Sequence, residues 1–177
     1  MLRNKNDFAS IVNDAQYARL RAWLDEARAA GAQVVGLSDV SPADAAERFI
    51  APTVVLDALG SVTLMREENF GPVLPVEGYR DFDEAVAYVR ARPRSLSLYL
   101  FDDDRARIRH TLDACTAGSV AVNDCVFQFA QSRLPFGGSG PSGMGAYHGH
   151  AGFLAFSKQM PVFRQSHWSA TAWLRPP

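Results

Sequence analysis

Glu67, Glu68, Asn69, Phe70, Gly71 and Pro72 set a pair of carboxylates beside an aromatic ring and a turn. A carboxylate accepts two hydrogen bonds from adjacent hydroxyls, as on a ribose, and an aromatic face supports a planar ring. By pattern alone this is a polar loop ahead of a strand, able to meet a hydroxylated ligand whose identity spacing does not give. The chain has two cysteines. Cys115 falls on the apolar face of an expected helix and reads as a small buried hydrophobe. Cys125 follows an expected strand end, where open α/β sheets border their active crevice. A nucleophilic role would need a neighbouring cation or helix N-terminus to stabilise the thiolate, and the adjacent sequence supplies none.

Further along, Gly138, Gly140 and Gly143 match the G-x-G-x-x-G spacing of a dinucleotide fingerprint. That motif works when a strand enters a tight turn, the pyrophosphate meets a helix N-terminus, and an acidic residue follows about 20 positions on. Here Pro135 precedes the glycines, Pro141 interrupts them, and no acidic residue follows. The expectation is a structured loop that needs positive φ and close backbone approach. Ser139 and Ser142 lack the G-x-S-x-G flanks of a nucleophile elbow. His148 and His150 bracket Gly149, but no cysteine or carboxylate at metal-ligand spacing joins them. A structural loop is the simpler reading, and no metal site is expected.

Elements must position these residues. From Asp14 to Ala30, Tyr17, Leu20, Leu24 and Ala27 recur at helical spacing, and Gly31 supplies a stop. Strands are expected at Gln33 to Leu37, Thr53 to Leu56 and, despite Pro75, Val73 to Val76; a polar turn region spans Ser41 to Glu47. Asp81 caps a helix with Phe82, Ala85, Val86 and Val89 on one face, ending before Pro93. Ser95 to Phe101 is an apolar strand. Asp102 to Asp104 cap a helix that groups Ile108, Leu112 and Cys115, with Gly118 as its terminator, and Ser119 to Asn123 forms the next strand. From Arg133 the chain becomes a glycine- and proline-rich loop, with a last strand candidate at Pro161 to Gln165. Strand and helix alternation from Val73 to Asn123 is the pattern of crossovers between parallel strands, so the fold class is α/β with an open, mostly parallel sheet and flanking helices.

The 177 residues are 47% hydrophobic and carry a net charge of −1, enough for one sizeable core and the length of one compact domain. Basic residues are scattered, so neither nucleic acid nor an anionic membrane is an expected partner. No apolar run approaches about 18 residues, and Met1 to Phe8 lacks the apolar core of a secretory signal. A soluble, cytoplasmic protein with reduced cysteines is expected.

Four segments, Arg48 to Val55 (RFIAPTVV), Glu67 to Val76 (EENFGPVLPV), Leu134 to Gly149 (LPFGGSGPSGMGAYHG) and Gly152 to Ser157 (GFLAFS), occur in order along nearly the whole chain. Together they resemble the aldehyde dehydrogenase superfamily, in its carboxyl-terminal part. The stretch Asp7 to Asn13 and the tail Pro161 to Pro177 are most similar to the coniferyl aldehyde dehydrogenase branch. The resemblance implies that the chain is the C-terminal portion of the catalytic domain, with the tail from about 160 to 177 a candidate subunit contact and the dinucleotide-binding domain absent. It further implies that Glu68 binds the nicotinamide ribose of NAD or NADP, that Phe70 packs near the nicotinamide, and that the glycine-rich segment is a structural loop.

The departures bear on activity. The family's thiolate, on a motif like F-x-x-x-G-Q-x-C, attacks the aldehyde to give a thiohemiacetal, and a glutamate in E-L-G-G-K activates water. This sequence contains neither motif. Cys115 and Cys125 align elsewhere and do not inherit the role, so no catalytic residue is expected here. The leading expectation is an aldehyde dehydrogenase fragment, inactive alone and unable to hold an intact NAD or NADP. The alternatives are a module that docks onto a full-length homologue, with homo-oligomer formation also compatible with the resemblance, and a stand-alone enzyme using Cys125.

Overall fold

The computed structural model describes residues 9–38, 46–58, 60, 62–165 and 167. Residues 7 and 8 of the stretch Asp7 to Asn13, 41–45 of the expected polar turn, and 166 and 168–177 of the tail lie outside the described residues. The chain forms two compact units, Met1–Arg80 and Asp81–Pro177, where length alone suggested one. The reason lies in the first unit's core, which draws its buried residues only from Ile11 to Val73.

In the first unit, α1 (Asp14–Ala29) is capped by Asn13, whose side-chain oxygen accepts from the Gln16 N–H at 2.9 Å. Its far end closes as a Schellman motif: Ala32 N–H bonds to the Ala27 carbonyl at 2.9 Å and Gly31 N–H to that of Arg28 at 3.0 Å. Gly31 sits at φ +93°, the left-handed conformation this motif assigns to glycine. Leu20, Leu24 and Ala27 are buried on the expected face, with Tyr17 packed beside them.

Strands β1 (Gln33–Gly36), β2 (Thr53–Leu56) and β3 (Val73–Val76) form one sheet in that order, β1 antiparallel and β3 parallel to β2. Register places Val34, Val55 and Pro75 in one row and Gly36, Thr53 and Val73 in the next, on the face where Thr53, Val55 and Val73 are buried. Pro75 is tolerated because β3 is the edge strand. A 3-10 turn, Thr63–Met65, is capped from α1: the Glu26 carboxylate accepts from the Thr63 N–H at 3.2 Å.

In the second unit, α2 (Phe82–Arg90) starts at Asp81, whose carboxylate accepts from Asp83 N–H at 2.7 Å. Strands β4 (Ser97–Leu100) and β5 (Ser119–Val122) pair in parallel across α3 (Arg105–Ala114), which Asp104 caps by accepting from Ala106 and Arg107 N–H at 2.7 and 3.3 Å. The α/β class and its parallel pairings are as read from sequence. The described strands, however, fall into two separate sheets, so within Val73 to Asn123 only β4 and β5 are hydrogen-bonded parallel neighbours, joined across α3.

Three local expectations are corrected. On α3 the buried positions are Thr111 at its C-terminal half and Cys115 at its cap, while Leu112 is exposed, because the helix axis turns Thr111 and not Leu112 inward. The helix stops at Ala114, so Gly118 is not its terminator; a Cβ there would lie 2.2 Å from the Gly137 carbonyl oxygen and 2.8 Å from that of Leu96. Residues 161–165 are not a strand, since no ladder among the described residues satisfies their backbone. Two short helices not foreseen, α4 (Phe127–Ala130) and α5 (Gly149–Ala155), flank the glycine-rich loop.

Candidate functional site

The segment 66–72 leaves the 3-10 turn through Arg66 and Glu67, whose N–H groups both bond to the Thr63 carbonyl at 3.0 Å, and then enters β3. Three interactions fix its shape. The Arg19 guanidinium reaches across from α1 and donates through Nη1 to the Glu68 carbonyl at 3.1 Å and through Nη2 to the Asn69 carbonyl at 2.7 Å. The same guanidinium stacks over the Trp23 ring at 4.1 Å, so it is held from both sides. Asn69 closes the loop internally, accepting from Gly71 N–H at 3.3 Å and donating to the Val73 carbonyl at 3.0 Å.

Gly71 is the third constraint. A Cβ there would lie 2.5 Å from Leu20 Cδ1, so the loop backbone rests directly on the α1 core face. Between Asn69 and Gly71, Phe70 is forced to φ +48°, a left-handed conformation that costs a bulky residue about 1–3 kcal/mol. Its ring is 75% exposed, and Glu68 is exposed as well. The result is a carboxylate and an aromatic face, both free toward solvent, on a backbone pinned to a helix. Such a loop can accept a pair of ligand hydroxyls and support a planar ring with little reorganisation.

The structure thus brings Glu68 and Phe70 together on one loop. Sequence reasoning missed Arg19 and Trp23, and it placed Asn69 and Gly71 in the turn without showing that they hold it. Only the Asn69–Phe70–Gly71 turn chemistry was a signal for these residues.

The remaining candidates lie in the second unit. Cys115 is buried, as read, and Cys125 is exposed; both are free thiols. The Cys125 backbone N–H bonds to the Asp124 carboxylate at 2.7 Å. The glycine-rich loop folds on itself. Phe136 and Tyr147 exchange backbone hydrogen bonds at 2.9 Å, and Cβ atoms at Gly137 and Gly138 would lie 2.1 and 1.9 Å from the carbonyl oxygens of Gly145 and Ser142. Close approach therefore explains these glycines, and no strand-turn-helix of the dinucleotide type surrounds Gly138, Gly140 and Gly143. Ser142 Oγ serves the loop, accepting from Ser139 N–H at 2.8 Å and donating to the Ser139 carbonyl at 3.1 Å. His148 packs among Phe129, Phe136 and Tyr147, its ring 4.5 Å from that of Tyr147, while His150 stacks on Phe153. Among the described residues no group of three or more His, Cys, Asp or Glu could hold a metal ion. No helix among them is long and apolar enough to cross a membrane.

The two α/β units and the pinned E-x-F-G-P loop define one kind of protein: the chain belongs to the aldehyde dehydrogenase family, whose sequence model matches residues 1–162. It is 45% identical over 168 residues to a probable coniferyl aldehyde dehydrogenase of Caulobacter vibrioides, covering 93% of this chain and 34% of that protein. A coniferyl aldehyde dehydrogenase of a Pseudomonas species is 40% identical over 170 residues, covering 93% of this chain and 35% of its own length. Among solved structures, a substrate-bound Staphylococcus aureus AldH superposes with a TM-score of 0.80 at 35% identity, over 99% of this chain and 37% of the other. The chain therefore spans about a third of the length of the relatives it matches.

Proposed function

We propose that the chain is the C-terminal portion of the catalytic domain of an NAD(P)-dependent aldehyde dehydrogenase and supplies that enzyme's contacts to the nicotinamide end of the cofactor. Glu68 accepts from the ribose hydroxyls, and Phe70 lies against the nicotinamide ring. The observation that carries this reading is the pinned loop, with its strained Phe70 and exposed Glu68 held by Arg19. A related betaine aldehyde dehydrogenase of Staphylococcus aureus, 26% identical with a TM-score of 0.70, was solved in complex with NAD+, which supports a dinucleotide for the family's fold. When bound, the nicotinamide accepts a hydride from the aldehyde carbon; the residues of this chain bind and orient it.

The substrate is an aldehyde, with coniferyl or another aromatic aldehyde favoured by the 45% and 40% identical relatives. No catalytic residue of the reaction is assigned to this chain, which has neither a G-Q-x-C nor an E-L-G-G-K motif. It is therefore inactive by itself. The two free cysteines and the near-neutral charge suit the reducing cytoplasm. The test is direct: the purified chain, given an aromatic aldehyde with NAD+ or NADP+, forms no more NADH or NADPH than a heat-killed control. Turnover above that control, abolished by Cys125→Ser, would instead establish a stand-alone enzyme.

A second reading, a non-catalytic module docked on a full-length aldehyde dehydrogenase, draws on the exposure of Val162 (75%) and Phe163 (85%) at the start of the tail. Stoichiometric co-purification with a full-length relative would favour it.

A further inference from the structure

The geometry points to a second binding site, for a small polyanion such as a phosphate ester or a polycarboxylate, in the cleft where α2 and α3 end beside β4. The cleft is lined by the second unit alone and holds about 410 Å³, the size of a metabolite pocket. Arg90 comes from the last turn of α2, Arg92 and Arg94 from the segment just beyond it, and Thr116 and Ala117 from the segment after α3. No aspartate or glutamate is among the lining residues, so the cleft carries three positive charges in a chain whose net charge is −1. A concave, low-dielectric wall of one sign focuses its field into the cleft. An anion is therefore drawn to this place and not to the surface at large.

Of the three arginines, Arg92 also serves the fold. Its guanidinium lies over the Tyr88 ring, 3.1 Å from the centroid, and its Nη1 donates to the Tyr88 carbonyl at 3.0 Å, closing the end of α2. Arg90 and Arg94 have no such role: among the described residues neither forms a hydrogen bond or an ion pair. Like charges around one cleft repel one another, a cost that a bound anion removes. The cleft is also held in shape. The Gly118 and Ser119 N–H groups bond to the Ser95 and Leu96 carbonyls, each at 3.0 Å, which ties the segment after α3 to the segment after α2. Arg94 Cδ lies 3.8 Å from the position of a Cβ on Gly140, so the stem rests beside the glycine-rich loop. A preformed site loses little entropy on binding. The ligand class follows from the lining. A guanidinium fork pairs with two oxygens of one phosphate or carboxylate, while Val89, Pro93 and Leu98 offer apolar contact to a carbon skeleton.

The experiment titrates the full chain with pyrophosphate and, separately, with citrate, at an ionic strength held constant with sodium chloride. Calorimetry reads affinity and stoichiometry, and amide chemical shifts read the place. The expected result is saturable 1:1 binding of one or both anions, with shifts confined to residues 89–98 and 114–117. Saturation by pyrophosphate alone assigns a phosphate ester, by citrate alone a polycarboxylate, and by both a site that reads the shared charge. Arg90→Gln and Arg94→Gln remove no hydrogen bond or ion pair of the fold, and each should weaken binding at least about tenfold. Arg109→Gln removes the same charge from α3 outside the cleft and should weaken it less than about twofold. The proposal is overturned if neither anion saturates by about 10 mM, or if the shifts in the parent chain map elsewhere. It is overturned equally if Arg109→Gln weakens binding as much as the cleft variants, which would mean an adventitious ion only. The Glu68–Phe70 loop takes no part in this site, so either outcome leaves the proposed function as it stands.

Discussion

Replacing Arg19 with alanine removes both hydrogen bonds that tie the Glu68–Phe70 loop to α1, together with the stack on Trp23. A hydrogen bond from a charged donor contributes about 1.5–3 kcal/mol net, and the low end applies because one of the two is exposed. The cation–π contact adds about 0.5–1 kcal/mol. Against these, Arg19 Nε is buried without a hydrogen-bond partner, a desolvation cost of about 1 kcal/mol that the alanine variant escapes. The net loss is about 2.5–3 kcal/mol, which raises the loop's opening constant about 70- to 160-fold. Native-state hydrogen exchange at Gly71, whose N–H bonds to Asn69 Oδ1, reports that constant. Arg19→Lys should fall between the two, because one ammonium does not reproduce the fork across both carbonyls. Exchange at Gly71 within twofold of the parent in Arg19→Ala would show that Asn69 and Gly71 suffice to hold the loop, and the argument for the clamp would fail.

Further outcomes follow from single positions. Gly71→Ala must push Leu20 aside, at about 1–3 kcal/mol in urea unfolding, whereas Gly78→Ala, with nothing within 4 Å of its Cβ, should be near neutral; equal effects would refute the steric account. The Arg107 guanidinium, bonded through Nε and Nη2 at 2.7 Å, holds the Asp102 carboxyl well below the usual carboxylate range, and the Asp104 N–H adds to this. A depressed folded-state value makes this contribution present above the unfolded pKa of about 3.9 and lost as pH falls below it, so Asp102→Asn should flatten the acid limb of a stability–pH curve below about pH 4. A thiol reagent should label Cys125 rapidly in the native chain and Cys115 only on unfolding; rapid labelling of both would mean that the α3 face opens.

Features that depend on local chemistry could be read from the residues alone. Helix α1 was legible because Tyr17, Leu20, Leu24 and Ala27 recur at helical spacing ahead of Gly31, and the starts of α2 and α3 because Asp81 and the run Asp102 to Asp104 offer carboxylates at cap positions. Glu68 and Phe70 stood out because they are near neighbours in the chain, and the cofactor role proposed for them came from the family resemblance. Tertiary structure alone decided what depends on residues far apart. Arg19 meets Glu68 and Asn69 across 49 and 50 positions, and no periodicity encodes which carbonyl a long side chain reaches. The helix α3 face that is buried, with Thr111 in and Leu112 out, was set by packing and not by hydropathy. Gly118 looked like a helix stop, yet the crowding of the Gly137 and Leu96 carbonyls is what its missing Cβ relieves. Residues 161–165 have strand-like composition but join no ladder among the described residues, because a strand, unlike a helix, must find its ladder in another segment.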